Sequence, residues 1–237
     1  MISRRTFTRF LGLSGACACA ASGNFMATAV AQSSPGAPAR GSFLIKDGAV
    51  ITCDPAIGTL ARADVLVRDG GIERVAPDIS APGVEVINAA DMIVMPGMVD
   101  THYHMWSALG WNYLADGFEY FPAKAATSAH YTSDDFYNSI MLAMAELANN
   151  GVTTVHNWAH NVRSPAHADA ELRAHRDSFL RARYAYGHID ALARDKPLDF
   201  TDIERVRAEW FSDSERMRGL VHLACNLRGI GQATEAV

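Results

Sequence analysis

Hydrophobic and polar positions alternate with a period near two through residues 43–88, and the rhythm changes after residue 92. Phe43-Leu44-Ile45 and Ala49-Val50-Ile51 flank Lys46-Asp47-Gly48, which reads as a hairpin around a D-G turn. Ala63 to Val67 runs into Arg68-Asp69-Gly70-Gly71, and Ile72 to Val75 follows as a second strand–turn–strand. Val84 to Ile87 alternates as a further strand, so residues 42–92 predict a small all-β unit. Beyond it, strands and helices take turns. Ile93-Val94-Met95 opens an apolar strand that resumes at Met98-Val99. Phe136, Ile140, Met144 and Leu147 share one helical face, predicting a helix over 133–149. Thr132 and Asp135 make its capping pattern, and Asn149-Asn150-Gly151 stops it. Val152 to Val155 is a β-branched strand, and Ser164-Pro165 starts a second helix. Arg183 to Gly187 is a third strand. Thr201 and Glu204 cap a third helix with Ile203, Val206 and Trp210 on one face, and Gly219 to Ala224 is a fourth strand. This alternation predicts an α/β fold with a parallel sheet, functional at its strand C-termini.

Composition narrows the partners. Arg4, Arg5 and Arg9 stand in the first 31 residues, which hold no acid. The remainder carries 18 basic and 26 acidic groups, or −8. A mildly acidic body argues against nucleic acid as a partner and leaves a small-molecule substrate. Residues 1–31 read as a targeting segment: Arg4-Arg5, Phe7, a weakly apolar stretch to Ala21, then Ala29-Val30-Ala31 as a cleavage pattern. The Arg pair resembles a twin-arginine export signal, which implies the twin-arginine translocation machinery as a transient partner and a periplasmic or secreted product. The apolar run is shorter than the ~18–20 residues of a membrane span, so no stable anchor is expected. Residues 32–41 are Ser/Pro/Ala-rich and read as a linker. Past the signal only Cys53 and Cys225 remain, too few for a disulfide scaffold.

All nine histidines lie beyond residue 100, which invites a search for a metal site. Asp100-Thr101-His102-Tyr103-His104 ends an apolar strand after Pro96-Gly97. Side chains two apart on a strand share a face, so His102 and His104 project together with Asp100, while Tyr103 points away. Two imidazoles at that spacing near a strand's end can hold one divalent ion.

The stretch Val94 to His104 resembles the signature of the amidohydrolase superfamily, nearest its cytosine-deaminase and chlorohydrolase-like branch. Ala63 to Ile72 resembles that superfamily's N-terminal β domain, and Gly151 to Val155 its second barrel strand. The resemblance implies a (β/α)8 TIM-like barrel, of which residues 93–237 are about the first four βα units. It implies His102 and His104 as ligands of a divalent metal, zinc first and iron as the alternative. It implies hydrolysis by a metal-activated water, at a non-peptide carbon–nitrogen bond or an amino- or halo-substituted heterocycle. The family completes its site with His from later strands and an Asp from the eighth. That Asp is absent from this chain, so the catalytic residue is unknown and a fragment inactive by itself is expected. A non-catalytic half-barrel, serving binding or assembly, is the alternative.

Further candidates surround the strand ends. His156 and His160 flank Trp158 after the second strand, as substrate contacts or as satisfied core groups. Trp106 belongs with Trp111, Tyr113, Phe118, Tyr120 and Phe121 to an aromatic stretch that suits a flat heterocycle or ordinary loop packing. His222 reads as structural, or as a third ligand. His130, His167, His175 and His188 are expected to be solvated, and Glu171 to Asp177 to form a wet helix face.

Overall fold

The computed structural model describes residues 41–110, 119–190, 192–213 and 215–229. The residues read as an export signal, nearly all of those read as a linker, and Trp111, Tyr113 and Phe118 lie outside them. Among the described residues nine strands form two sheets. The first holds β1 (Phe43–Ile51), β2 (Thr59–Arg68), β3 (Gly71–Ala76), β4 (Glu85–Asn88) and β5 (Ile93–Val94). Its order is β3-β2-β1-β4, with β5 also pairing β1. The second holds β6 (Met98–Tyr103), β7 (Val152–Ala159), β8 (Arg181–Tyr186) and β9 (Val221–Cys225), all parallel and in chain order. Four helices, α1 (Tyr120–Ser128), α2 (Ser133–Asn149), α3 (Pro165–Asp177) and α4 (Phe200–Trp210), connect its strands. Among the described residues no helix is long and apolar enough to cross a membrane.

The D-G signal at Asp47-Gly48 makes a bulge rather than a turn. β1 runs through it as one strand against β2. Ile45 pairs Val65 and Gly48 pairs Ala63, so three steps on β1 oppose two on β2. Asp47 takes the extra position at φ 66°, a backbone shape that serves a bulge as well as a turn. A buried carboxylate fixes it. Asp64 accepts from the Asp47 and Ile79 amides, both at 2.8 Å, and from Lys46 Nζ at 3.1 Å. Burial would raise its pKa, but these donors hold it below the usual carboxylate range. The second hairpin forms as expected, with β2 and β3 joined at Asp69-Gly70.

Ile93 and Val94 pair β1 in the first sheet, so they do not open the barrel strand. β6 begins after Pro96-Gly97. A Cβ on Gly97 would meet the Thr153 side chain at 2.2 Å, so only glycine lets β6 approach β7 there.

α2 has the capping box expected of Thr132 and Asp135, and Gly151 at φ 75° carries the chain from its end into β7. α3 starts with Pro165 in its first turn. α4 is capped by Asp199, whose side chain accepts from the Asp202 amide at 3.0 Å, and Thr201 lies inside the first turn. Ile140, Ala143, Leu172, Val206 and Trp210 from these helices pack with Val155, Ala182 and Tyr184 from the sheet. Each large apolar side chain buried there stabilises the fold by about 1.5–3 kcal/mol. α1 has no counterpart in the sequence reading: Pro122 and the Ala-rich stretch after it carry no clear apolar stripe.

Candidate metal centre

His102 and His104 lie at the C-terminal end of β6, as the alternation implies, and Tyr103 packs on the opposite side against the helical core. Asp100 departs from the pattern. It pairs Val155, Tyr103 pairs Asn157, and one extra residue falls between on β6. The strict alternation that would carry Asp100 alongside both imidazoles is therefore broken. Its carboxylate accepts from the His102 amide at 3.0 Å and holds the strand end.

The two imidazoles face each other, His102 Nε2 to His104 Nε2 at 3.2 Å. Two nitrogens bound at about 2.0–2.1 Å to one tetrahedral zinc stand about 3.3 Å apart, so this pair suits two positions of such an ion. Trp158 lies against the His102 ring with centroids 4.5 Å apart. Among the described residues no three His, Cys, Asp or Glu side chains converge as a ligand set.

His104 is half-buried, and its pKa falls to about 4. Burial is the main cause, and repulsion from His160, His102 and Lys124 adds to it. A neutral imidazole is the form that ligates metal.

His160 lies behind His104, buried at 3% exposure, with the two Nδ1 atoms 2.8 Å apart. It joins the cluster, as a support of His104. Trp106 Nε1 donates to His160 Nδ1 at 3.2 Å. Trp106 itself is 1% exposed and packs on Tyr131 and Phe136, beneath the cluster. Two further members, Lys124 and Asp190, carry no signal in the sequence. Lys124 Nζ pairs Asp190 Oδ1 at 2.9 Å and stands 3.2 Å from His160 Nε2. Burial would raise the Asp190 carboxyl, but hydrogen bonds from His160 and Lys124 hold it at about 2. Tyr120 and Phe121 are exposed on α1, with Lys124 Nζ 5.6 and 5.5 Å from their ring centres.

The remaining histidines stand apart. His156 Nε2 meets Asn226 Oδ1 at 3.2 Å, and the residue lines a hollow of about 370 Å³ with Val99, Asp100, Thr154 and Arg183. His222 is exposed on β9, three strand positions from β6, or about 14 Å along the sheet. His130 is exposed and His167 stacks on Phe136.

His175 and Glu171 correct the sequence reading. They sit four apart on α3, on the face turned to the sheet, at 1% and 0% exposure. Only Arg173 and Asp177 of that run are exposed. Asn157 Nδ2 donates to Glu171 Oε2 at 3.1 Å and to His175 Nε2 at 3.0 Å. Burial pushes Glu171 up to about 8, against a weaker pull from Asn157, and pushes His175 down to about 3. Asn157 Oδ1, Glu171 Oε1, His175 Nδ1 and the Tyr184 hydroxyl have no hydrogen-bond partner.

No family model matches the chain. It is 31% identical over 176 residues to a 5'-deoxyadenosine deaminase of Methanosarcina barkeri, spanning 71% of this chain and 38% of that protein. It is 30% identical over 161 residues to a 5-methylthioadenosine/S-adenosylhomocysteine deaminase of Pyrococcus furiosus, spanning 65% of this chain and 36% of that protein. The chain thus spans under two-fifths of these relatives' length. Its fold matches a mutant atrazine chlorohydrolase from Arthrobacter aurescens TC1, complexed with zinc and atraton. That match has a TM-score of 0.62 at 19% identity, over 77% of this chain and 46% of the other. The parallel sheet with its helices is therefore a partial barrel of that architecture.

Proposed function

We propose that this chain supplies the first metal-holding strand of an amidohydrolase-superfamily enzyme, one that hydrolyses a carbon–nitrogen bond or a leaving group on a nitrogen heterocycle. The observation that carries the reading is the Nε2–Nε2 separation of 3.2 Å between His102 and His104 at the end of a parallel strand. The deaminases it is similar to act on adenosine derivatives, as their names state, which favours a purine-like substrate over a peptide. His102 and His104 would hold a divalent ion, zinc by its affinity for imidazole, with iron as the alternative. When bound, such an ion supplies activated water for hydrolysis.

The protein's own groups have separable tasks. Burial keeps His104 neutral, and the Trp158 ring limits the swing of His102. His156 and Arg183 line the hollow on the same sheet and are the side chains we assign to substrate contact. A catalytic zinc takes about three protein ligands, and the described residues bring two imidazoles together. Groups from outside these residues complete the site in this reading, and we expect the described residues by themselves to bind metal without turning over. Export through the twin-arginine route belongs to the same proposal. Arg4→Lys with Arg5→Lys would block it and leave the chain in the cytoplasm.

Zinc content after dialysis of the full chain tests the site. Bound zinc should be lost in the His102→Ala/His104→Ala double variant. Equal zinc in both proteins overturns the site. Hydrolysis of an aminopurine by the chain alone, lost in the double variant, overturns only the incompleteness.

A further inference from the structure

The cluster behind His104 raises a question of protons. Each imidazole carries one ring proton when neutral, and only the bare nitrogen can ligate metal or accept a hydrogen bond. Two arrangements of the His104–His160 pair are open in principle, and they exclude each other. In one, His104 Nδ1 carries the proton and donates to His160 Nδ1. In the other, His160 Nδ1 donates, to His104 Nδ1 or to the Trp158 carbonyl at 3.3 Å. The first leaves a lone pair on His104 Nε2, facing His102. The second puts a proton there and blocks it as a ligand.

We propose that Trp106 is the positioning residue that selects the first arrangement. An indole N–H donates and never accepts. Trp106 is 1% exposed, and its N–H points at His160 Nδ1 at 3.2 Å. That nitrogen must be bare to receive it. His160 therefore carries its proton on Nε2, where the Asp190 carboxylate offers an acceptor oxygen 3.4 Å away. Lys124 pairs with that same oxygen at 2.9 Å and keeps it an acceptor. With His160 Nδ1 bare, the 2.8 Å contact is a hydrogen bond only if His104 Nδ1 donates. The opposite arrangement would turn the His160 Nε2 lone pair toward Lys124, 3.2 Å away, but would strand a buried indole N–H. A tryptophan that is not itself a ligand thus decides, through His160, which nitrogen of His104 faces the metal position. Metal-bound histidines commonly owe their orientation to a partner on the far ring nitrogen, and here that partner is itself oriented by an indole.

The inference rests on the His102–His104 reading only for its consequence, since the proton positions belong to the metal-free chain. They can be read by long-range proton–nitrogen correlation NMR of the imidazoles, on the full-length, nitrogen-15-labelled, metal-free protein at pH 7.5. We expect His104 protonated at Nδ1 and His160 at Nε2. Replacing Trp106 with β-(3-benzothienyl)alanine keeps the bicyclic shape and removes the N–H. In that variant, and in Trp106→Phe, His104 should shift toward the Nε2-protonated form. Cobalt(II) affinity, read from visible absorption, should fall on the order of 10–100-fold. Circular dichroism of the benzothienyl variant separates this from lost packing. His104 protonated at Nε2 in the parent protein, or the same proton pattern in both variants, overturns the proposal. If the proton pattern changes as expected and the parent protein binds no cobalt(II), the positioning role stands and the metal reading fails.

Discussion

β7 feeds two imidazole clusters of opposite kind from neighbouring residues. Asn157 enters the sealed cluster under α3, with Glu171, His175 and Tyr184, while Trp158 packs on the open one with His102 and His104. Both contain neutral histidine, and burial is the largest cause in each. What differs is the fate of the lone pair. In the sealed cluster the His175 Nε2 lone pair is taken by Asn157. In the open cluster the accepting is done one residue back, at His160, and two Nε2 atoms are left to face each other beside the exposed His102 ring. Burial makes an imidazole neutral; the placement of donors decides whether it becomes a ligand or a structural group.

Cutting the sealed cluster should have the largest effect on stability. Asn157→Ala leaves Glu171 and His175 buried without their shared donor, and should cost about 2–4 kcal/mol in urea denaturation. Zinc bound per folded chain should stay the same. A loss of zinc equal to the loss of stability would mean that the clusters are not separate. The converse cut is His104→Ala. It should weaken zinc by about 100-fold, or about 2.7 kcal/mol, and change stability by less than about 1 kcal/mol. A large drop in stability there would make His104 a core group first.

The pH dependence of stability sharpens the contrast by a smaller amount. Glu171 ionises near 8 when folded against an ordinary 4.5, so its contribution is full below 4.5 and is lost as pH rises toward 8. His175 protonates near 3 when folded against an ordinary 6.5, so its contribution is present above 6.5 and is lost as pH falls toward 3. The two slopes offset between 4.5 and 6.5, which places the sealed cluster's optimum in that window. Glu171→Gln keeps an oxygen for Asn157 and should flatten the alkaline limb above 6.5 and leave stability rising with pH between 4.5 and 6.5, where His175 then acts without its counterweight. Unchanged pH dependence in that variant would show that Glu171 is not the titrating group.

The shared face of His102 and His104 and the spacing of the α2 residues were legible because they are local periodicities. So were the H-x-H pair and the turn at Asp69-Gly70, whereas the extra residue that breaks the alternation at Asp100 was not. Lys124 and Asp190 were not legible, because they come to His160 from 36 and 30 residues away along the chain. The Glu171 to Asp177 run misled through its charge. A helical reading of Glu171 and His175, four apart, puts both on one face, and only the sheet beneath makes that face an interior.

By itself the sequence determined the alternation of strands and helices after residue 97, α1 excepted, and the pairing of two imidazoles at one strand end, since both follow from backbone periods of two and 3.6. The tertiary structure decided the rest. It turned a D-G signal into a bulge, because β2 offered a continuous partner and Asp64 an anchor. It sealed one histidine and opened another, because burial and the identity of a donor are properties of the space around a side chain and appear in no local pattern.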